Sequence, residues 1–217
     1  MSTLHVDSIM KRYGNNQVLS DVFMSCSTGG IIGLLGRNGS GKSTLLKIIF
    51  GALHTDNKFV KVDDDIINAT KDTVGRIAYL PQDNFLPNHI KIKTLIVLLC
   101  ETESIQFIKD HQLISPFLNR YVKALSGGER RILEVFLIIF SRAKFILIDE
   151  PFNGIAPIYK DEIKDLIRRQ TKHKGFIITD HDYSNVLDLA SKVVLLHNGS
   201  TRPIKNIKEL EQFGYLP

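Results

Sequence analysis

Gly36-Arg37-Asn38-Gly39-Ser40-Gly41-Lys42-Ser43-Thr44 is the stretch on which the reading of this chain turns. It follows an apolar run, Ile31-Ile32-Gly33-Leu34-Leu35, short enough for one buried strand. Leu45, Leu46, Ile48, Ile49 and Phe50 then supply the apolar positions of a helix. Strand, glycine-rich loop and helix together form the phosphate-binding pattern G-x-x-x-x-G-K-[ST]. The chemistry is legible in the residue types. Glycines let the backbone wrap closely around phosphate oxygens, and successive amides point inward as an anion nest. The helix that follows offers its N-terminus to the same charge. Gly36, Asn38, Gly39, Ser40, Gly41 and Thr44 form the cradle. Lys42 is placed to reach the β- and γ-phosphates, and the Ser43 hydroxyl to bind Mg²⁺. The competing reading is a glycine-rich turn of no chemical consequence; the strand before it and the helix after it argue against that.

The 217 residues suit one domain, 1–217, with a smaller piece inserted into it. At 43% hydrophobic and 24% charged, the composition is that of an ordinary globular protein. Cys26 and Cys100 are too far apart in sequence for a metal-ligand pair and read as buried small hydrophobes in a reducing compartment. The start, Met1-Ser2-Thr3-Leu4-His5-Val6-Asp7, lacks the basic end and apolar core of a signal peptide. The longest apolar run, Ile132 to Phe140, is interrupted by Glu134 and is too short to span a bilayer. A soluble chain is expected, reaching a membrane only through a partner. The net charge of +5 suits a nucleotide site, but there is no dense Lys/Arg block with interleaved aromatics, so no nucleic-acid partner is expected.

Outward from the loop, Leu4 to Met10, Val18 to Met24, Phe59 to Val62 and Ile66-Ile67 read as antiparallel strands. Ile77 to Leu80 is a further strand stopped by Pro81. From Ile92 to Phe117 the pattern is helical, part of a helical insert at about 88–140. Phe145 to Asp149, Gly175 to Asp180 and Lys192 to His197 read as strands, separated by helices at Ile158 to Ile167 and Tyr183 to Leu189. Strands alternating with helices imply a mostly parallel α/β sheet.

Two further elements carry chemistry. Phe145-Ile146-Leu147-Ile148-Asp149-Glu150 is a buried strand with two carboxylates at its C-terminal end, where open α/β sheets bind ligands. Asp149 suits a Mg²⁺ contact and Glu150 suits orienting or deprotonating an attacking water. Leu125-Ser126-Gly127-Gly128-Glu129 contains a capping box, Ser126-x-x-Glu129, opening a helix over Arg130 to Phe140. It reads equally as a simple helix start and as a phosphate-binding helix terminus.

With these in place, the chain resembles the ATP-binding cassette (ABC) family over essentially its whole length. The phosphate loop is followed, in order, by Tyr79-Leu80-Pro81-Gln82, Leu125-Ser126-Gly127-Gly128-Glu129, the strand ending Asp149-Glu150-Pro151, and Ile178-Thr179-Asp180-His181. The resemblance implies a P-loop NTPase fold: a RecA-like, mostly parallel sheet with an antiparallel β subdomain and an inserted α-helical subdomain. It implies ATP and Mg²⁺ as ligands and ATP hydrolysis as the activity. It implies that Gln82 contacts Mg²⁺ or the attacking water, that His181 contacts the γ-phosphate, and that Tyr13 stacks on adenine with Val18 nearby. Ser126, Gly127, Gly128 and Glu129 would touch nucleotide held by an opposite subunit, in a homodimer or a heterodimer with a related ATPase. A separate transmembrane permease is the implied partner, engaged at a groove near Gln82, Phe85 and Leu86, so the chain would lie on the cytoplasmic face of a membrane.

Two departures stand out. Glu129 replaces the family's usual Gln, and capping explains why that change can be harmless. Ala156 stands where the family commonly has Asp, which bears on communication between the two sites. Gly154-Ile155-Ala156-Pro157 is similar to branched-chain amino-acid importers, whereas Leu-Ser-Gly-Gly-Glu-Arg-Arg and Asp-Glu-Pro-Phe are similar to lipopolysaccharide-export ATPases. The two similarities point to different substrates. A non-transport ATPase of the iron–sulphur assembly type shares every motif, and Ala156 keeps open a regulatory module without turnover.

Overall fold

The computed structural model describes residues 1–55 and 57–215. Its centre is a six-stranded sheet in the order β11 (Ser200–Ile204), β10 (Lys192–His197), β4 (Ile31–Leu35), β9 (Gly175–Thr179), β8 (Phe145–Asp149) and β7 (Ile77–Leu80). Four of those strands follow from apolar runs: β4, β8, β9 and β10; β7 completes the parallel set. The Asn198-Gly199 turn folds β11 back on β10 as the one antiparallel neighbour. Both Asn198 and Gly199 hold positive φ, at 48° and 78°, as a tight hairpin turn requires.

β4, β8 and β9 are buried at every position, which marks a sheet covered on both faces. Alternate side chains serve different cores. Ile146, Ile148, Phe176 and Ile178 point into one core with the helices α2 (Ile92–Leu99), α4 (Gly127–Ile139) and α5 (Pro157–Gln170). Phe145, Leu147, Ile177, Ile32 and Leu34 point into another, with α1 (Lys42–Ile49) and the antiparallel sheet. That second sheet is built from β1 (Thr3–Tyr13), β2 (Asn16–Leu19), β3 (Met24–Ser27), β5 (Asn57–Val62) and β6 (Asp65–Ile66). Helix α1 is thus held between two sheets, which fixes the loop at its N-terminus.

Two expected elements differ. Val18 to Met24 is not one strand. β2 ends at Leu19, and the chain leaves the sheet because its backbone finds other partners: Ser20 N–H donates to the Gly199 carbonyl and Phe23 N–H to Thr201 Oγ1. The helical stretch from Ile92 to Phe117 is broken into α2, α3 (Ile105–Asp110) and two short 3₁₀ turns. The break falls at Cys100, whose backbone turns extended and bridges to Ser141, while Glu101 N–H donates to the Phe140 carbonyl. Cys26 and Cys100 are free and buried, and burial pushes both thiols up to about 12.

Gly33 has a packing reason. A Cβ at that position would lie 2.5 Å from Val186 Cγ1 and 2.9 Å from the Ala190 side chain, at α6 (Tyr183–Leu189) and its end. Gly33→Val is expected to lower stability by about 2–3 kcal/mol through overpacking. Chemical denaturation against the parent chain measures it; an unchanged midpoint would show that α6 can shift freely.

Candidate functional site

The loop between β4 and α1 is shaped by its glycines. Gly39 and Gly41 hold φ of 77° and 103°, values that an L side chain resists. Lys42 folds back over the loop and donates from Nζ to the carbonyls of Gly36, at 2.6 Å, and Arg37, at 3.3 Å. Burial pushes its ammonium pKa down, while the nearby Asp149 and Glu150 carboxylates oppose that shift. The buried Ser40 hydroxyl has no hydrogen-bond partner among the described residues, an unsatisfied donor within the glycine-rich loop.

A cavity of about 560 Å³ lies over this loop. It collects Tyr13 and Val18 from the β1–β2 hairpin, Asn38 through Thr44, then Gln82, Glu150 and His181. Five segments distant in sequence therefore meet in one space. Glu150 follows β8 with φ at 53°, unusual for a residue with a side chain. Gln82 Nε2 donates to Glu150 Oε2 at 3.1 Å. His181 follows β9 and is 58% exposed, with Nδ1 3.4 Å from Asp180 Oδ1. Asp180 is buried, and desolvation raises its carboxyl pKa. Tyr13 is half exposed, with Lys11 Nζ 5.2 Å from its ring centre.

Asp149 and Gly36 do not line the cavity. The Asp149 carboxylate is buried and accepts from Thr179 Oγ1 at 2.8 Å and from the Tyr79 hydroxyl at 3.3 Å. Burial, then the Asp149 charge, raises the Tyr79 pKa, so the phenol stays a donor. Ser43, Asp149 and Gln82 offer a hydroxyl, one carboxylate and an amide carbonyl. That sparse, hard-oxygen set fits Mg²⁺, which keeps waters and phosphate oxygens for its remaining positions.

Ser126, Gly127, Gly128 and Glu129 do not join the cavity. They form the N-terminus of α4, where Glu129 N–H donates to Ser126 Oγ at 3.3 Å and Ser126 N–H to Glu129 Oε2 at 2.7 Å. The capping box is therefore real, and the Ser126 amide is the main reason that the Glu129 pKa is depressed. A Cβ on Gly127 would meet nothing within 4 Å, whereas one on Gly128 would lie 2.8 Å from the Gly154 carbonyl. The helix end thus rests on the loop after Glu150 and opens outward. In that loop Ala156 only precedes α5, without a side-chain cap.

Phe85 and Leu86, expected together at a groove near Gln82, face different ways. Phe85 lines an apolar cavity of about 400 Å³ with Phe50, Tyr79, Leu99 and Leu137. Leu86 is 4% exposed and belongs to the helical core instead. Sequence reading also passed over Arg131 and Glu134, a buried ion pair on α4 at 3.4 Å. The signal was present: two charges inside an otherwise apolar helical run need partners.

A family model described as "ABC transporter" matches residues 19–153. The lipopolysaccharide export system ATP-binding protein LptB of Haemophilus influenzae is 30% identical over 213 residues, 92% of this chain and 88% of that protein. A probable sulfate/thiosulfate import ATP-binding protein CysA of Chlorella vulgaris is 28% identical over 217 residues, 94% of this chain and 92% of that protein. Among solved structures, the ATP-binding subunit of an ABC transporter superposes with a TM-score of 0.86 at 22% identity, covering 97% of this chain and 93% of that one. A nucleotide-free ATP-binding cassette reaches 0.79 at 22% identity, covering 100% and 96%. At such identities the structures speak for the fold, and the fold they share is the P-loop NTPase fold of ABC ATPases, with its antiparallel β subdomain. The sequence relatives are transport proteins, which favours a transporter subunit over the iron–sulphur assembly alternative. The chain belongs to the ABC transporter ATP-binding subunit family and is an ABC transporter ATPase that binds ATP.

Proposed function

We propose that the chain is one cassette domain with a helical subdomain at about 88–140, and that two copies, or one copy and a related ATPase, close around two Mg·ATP to drive a separate transmembrane permease. The observation that carries this is a separation. Lys42, Gln82, Glu150 and His181 share one cavity, while the Ser126 helix end lies outside it with open space before Gly127. A phosphate-binding helix terminus that faces away from its own chain's nucleotide suits a neighbour's.

In this reading Lys42 exchanges the Gly36 and Arg37 carbonyls for β- and γ-phosphate oxygens, and the amides of residues 38 to 44 hold the rest of that charge. Tyr13 and Val18 take the adenine. Mg²⁺, held by Ser43, Asp149 and Gln82, would neutralise phosphate oxygens during transfer. Glu150, steadied by Gln82, aligns water for in-line attack and accepts its proton. The bond from the γ-phosphorus to its bridging oxygen breaks, and the electron pair leaves with ADP. His181 and the opposite subunit's Ser126, Gly127 and Gly128 stabilise the transferring phosphoryl group. Positioning and electrostatics supply most of the barrier reduction. The apolar cavity beside Phe85 suits the permease contact, which would place the chain on the cytoplasmic face of a membrane without nucleic acid as a partner. No helix among the described residues is long and apolar enough to cross a membrane.

Mixing two inactive variants tests the arrangement. Lys42→Ala keeps an intact helix end, and Gly127→Asp keeps an intact phosphate loop. Each alone should be inactive. Mixed equally, they should recover about one quarter of normal ATPase activity, because half the dimers then own one complete site. No recovery would place both halves of the site on one chain.

A further inference from the structure

We propose that Arg131 is a positioning residue that sets the relation between Gln82 and Glu150; this rests on the assignment of those two side chains to the γ-phosphate site. Arg131 sits on α4 and is 4% exposed. Its Nη2 donates to the carbonyls of Asp149, at 2.7 Å, and Glu150, at 2.9 Å. Its Nη1 donates to the Pro81 carbonyl at 2.7 Å and to Glu134 Oε2 at 3.4 Å. One rigid guanidinium therefore ties together the peptide group just before Gln82 and the two peptide groups that flank Glu150. A planar fork can hold three carbonyls in a fixed pattern, which a point charge cannot.

The consequence for Glu150 is direct. Its N–H donates to the Thr179 carbonyl at 3.0 Å, and its own carbonyl is held by Arg131. Both backbone groups are fixed, so the residue is kept at φ 53° in spite of its side chain. With Pro81 fixed as well, Gln82 Nε2 meets Glu150 Oε2 at 3.1 Å. The far side of the ion pair reaches the apolar cavity: Glu134 Oε1 accepts from Phe85 N–H at 3.2 Å. Arg131 and Glu134 thus form a continuous bridge from the backbone of Phe85 to the backbone of Glu150. Because the bridge rides on α4, displacing the Ser126 end of that helix displaces the Gln82–Glu150 pair. A mere packing staple would share the burial and the hydrogen bonds; what separates the two roles is kcat measured apart from KM and stability.

Arg131→Lys keeps a charge beside Glu134 and removes the fork. Expected is a fall in kcat of about 10-fold or more with KM for ATP nearly unchanged, since the loop that binds phosphate is untouched. Gln82→Ala should then cost less in the Arg131→Lys background than in the parent, because its partner is already misplaced. If Arg131→Lys does not fold, the same measurements on Glu134→Gln decide, with a several-fold fall in kcat expected from a loosened anchor. Parental kcat in a folded variant, with Glu150→Gln inactive, overturns the role of Arg131 and leaves the γ-phosphate site standing. Activity in Glu150→Gln itself overturns that site instead.

Discussion

Glu150→Gln will lower kcat for ATP hydrolysis by about 10³-fold, the range expected when a general base is lost, or about 4 kcal/mol in the barrier. The substitution is nearly isosteric. An amide oxygen can still accept from Gln82 Nε2, now 3.1 Å from the carboxylate, so the local geometry should persist. What disappears is the capacity to take a proton from water and the charge that orients it. ATP binding should survive, because Lys42 and the loop amides are unaffected. Removing the carboxylate also removes a negative charge near the γ-phosphate. ATP should therefore accumulate between subunits, and size-exclusion chromatography with Mg·ATP should show a dimer that decays slowly. A variant that hydrolyses ATP at the parental rate would deprive Glu150 of its role. One that stays monomeric with ATP would remove the sandwich.

The second large effect belongs to Lys42→Ala. Lys42 is already partly desolvated, and its ammonium is satisfied by two loop carbonyls rather than by a carboxylate. Such a charge gains most when a polyanion enters, because the phosphate supplies both hydrogen bonds and opposite charge in a low-dielectric space. Truncation should weaken ATP binding by about 10²-fold and abolish measurable turnover. Folding should be little changed, since the backbone of the loop is held by its own geometry and by α1. Titration with a fluorescent nucleotide, phosphate release and thermal denaturation separate these outcomes. Parental affinity and rate in a folded Lys42→Ala protein would take Lys42 out of the phosphate site.

Much of this site was readable before any coordinates, because its parts are local. A phosphate loop needs its glycines, lysine and hydroxyl within nine consecutive residues, bounded by a strand and a helix. The same holds for the capping box at Ser126 and Glu129, which needs four consecutive residues at the start of a helix. Buried strands β4, β8 and β9 declare themselves by unbroken apolar runs. The errors also have local causes. Val18 to Met24 looked continuous because its residues favour strands, but the backbone partners that end β2 come from Gly199 and Thr201, some 178 residues onward. Phe85 and Leu86 are adjacent and alike in hydrophobicity, and only the path of the chain decided which one faces the groove and which one the core.

The sequence by itself determined that this chain carries a phosphate-loop pattern between a strand and a helix, and that a second helix end opens with a capping box, because backbone amides and glycine conformations are short-range properties. Tertiary structure decided which of these groups meet. It brought Gln82 to Glu150 across 68 residues, set Arg131 against three carbonyls at the ends of two strands, and turned the Ser126 helix away from its own cavity. Those outcomes depend on the strand order β10-β4-β9-β8-β7 and on where α4 packs, which are properties of two buried cores acting together. No stretch of residues encodes them alone.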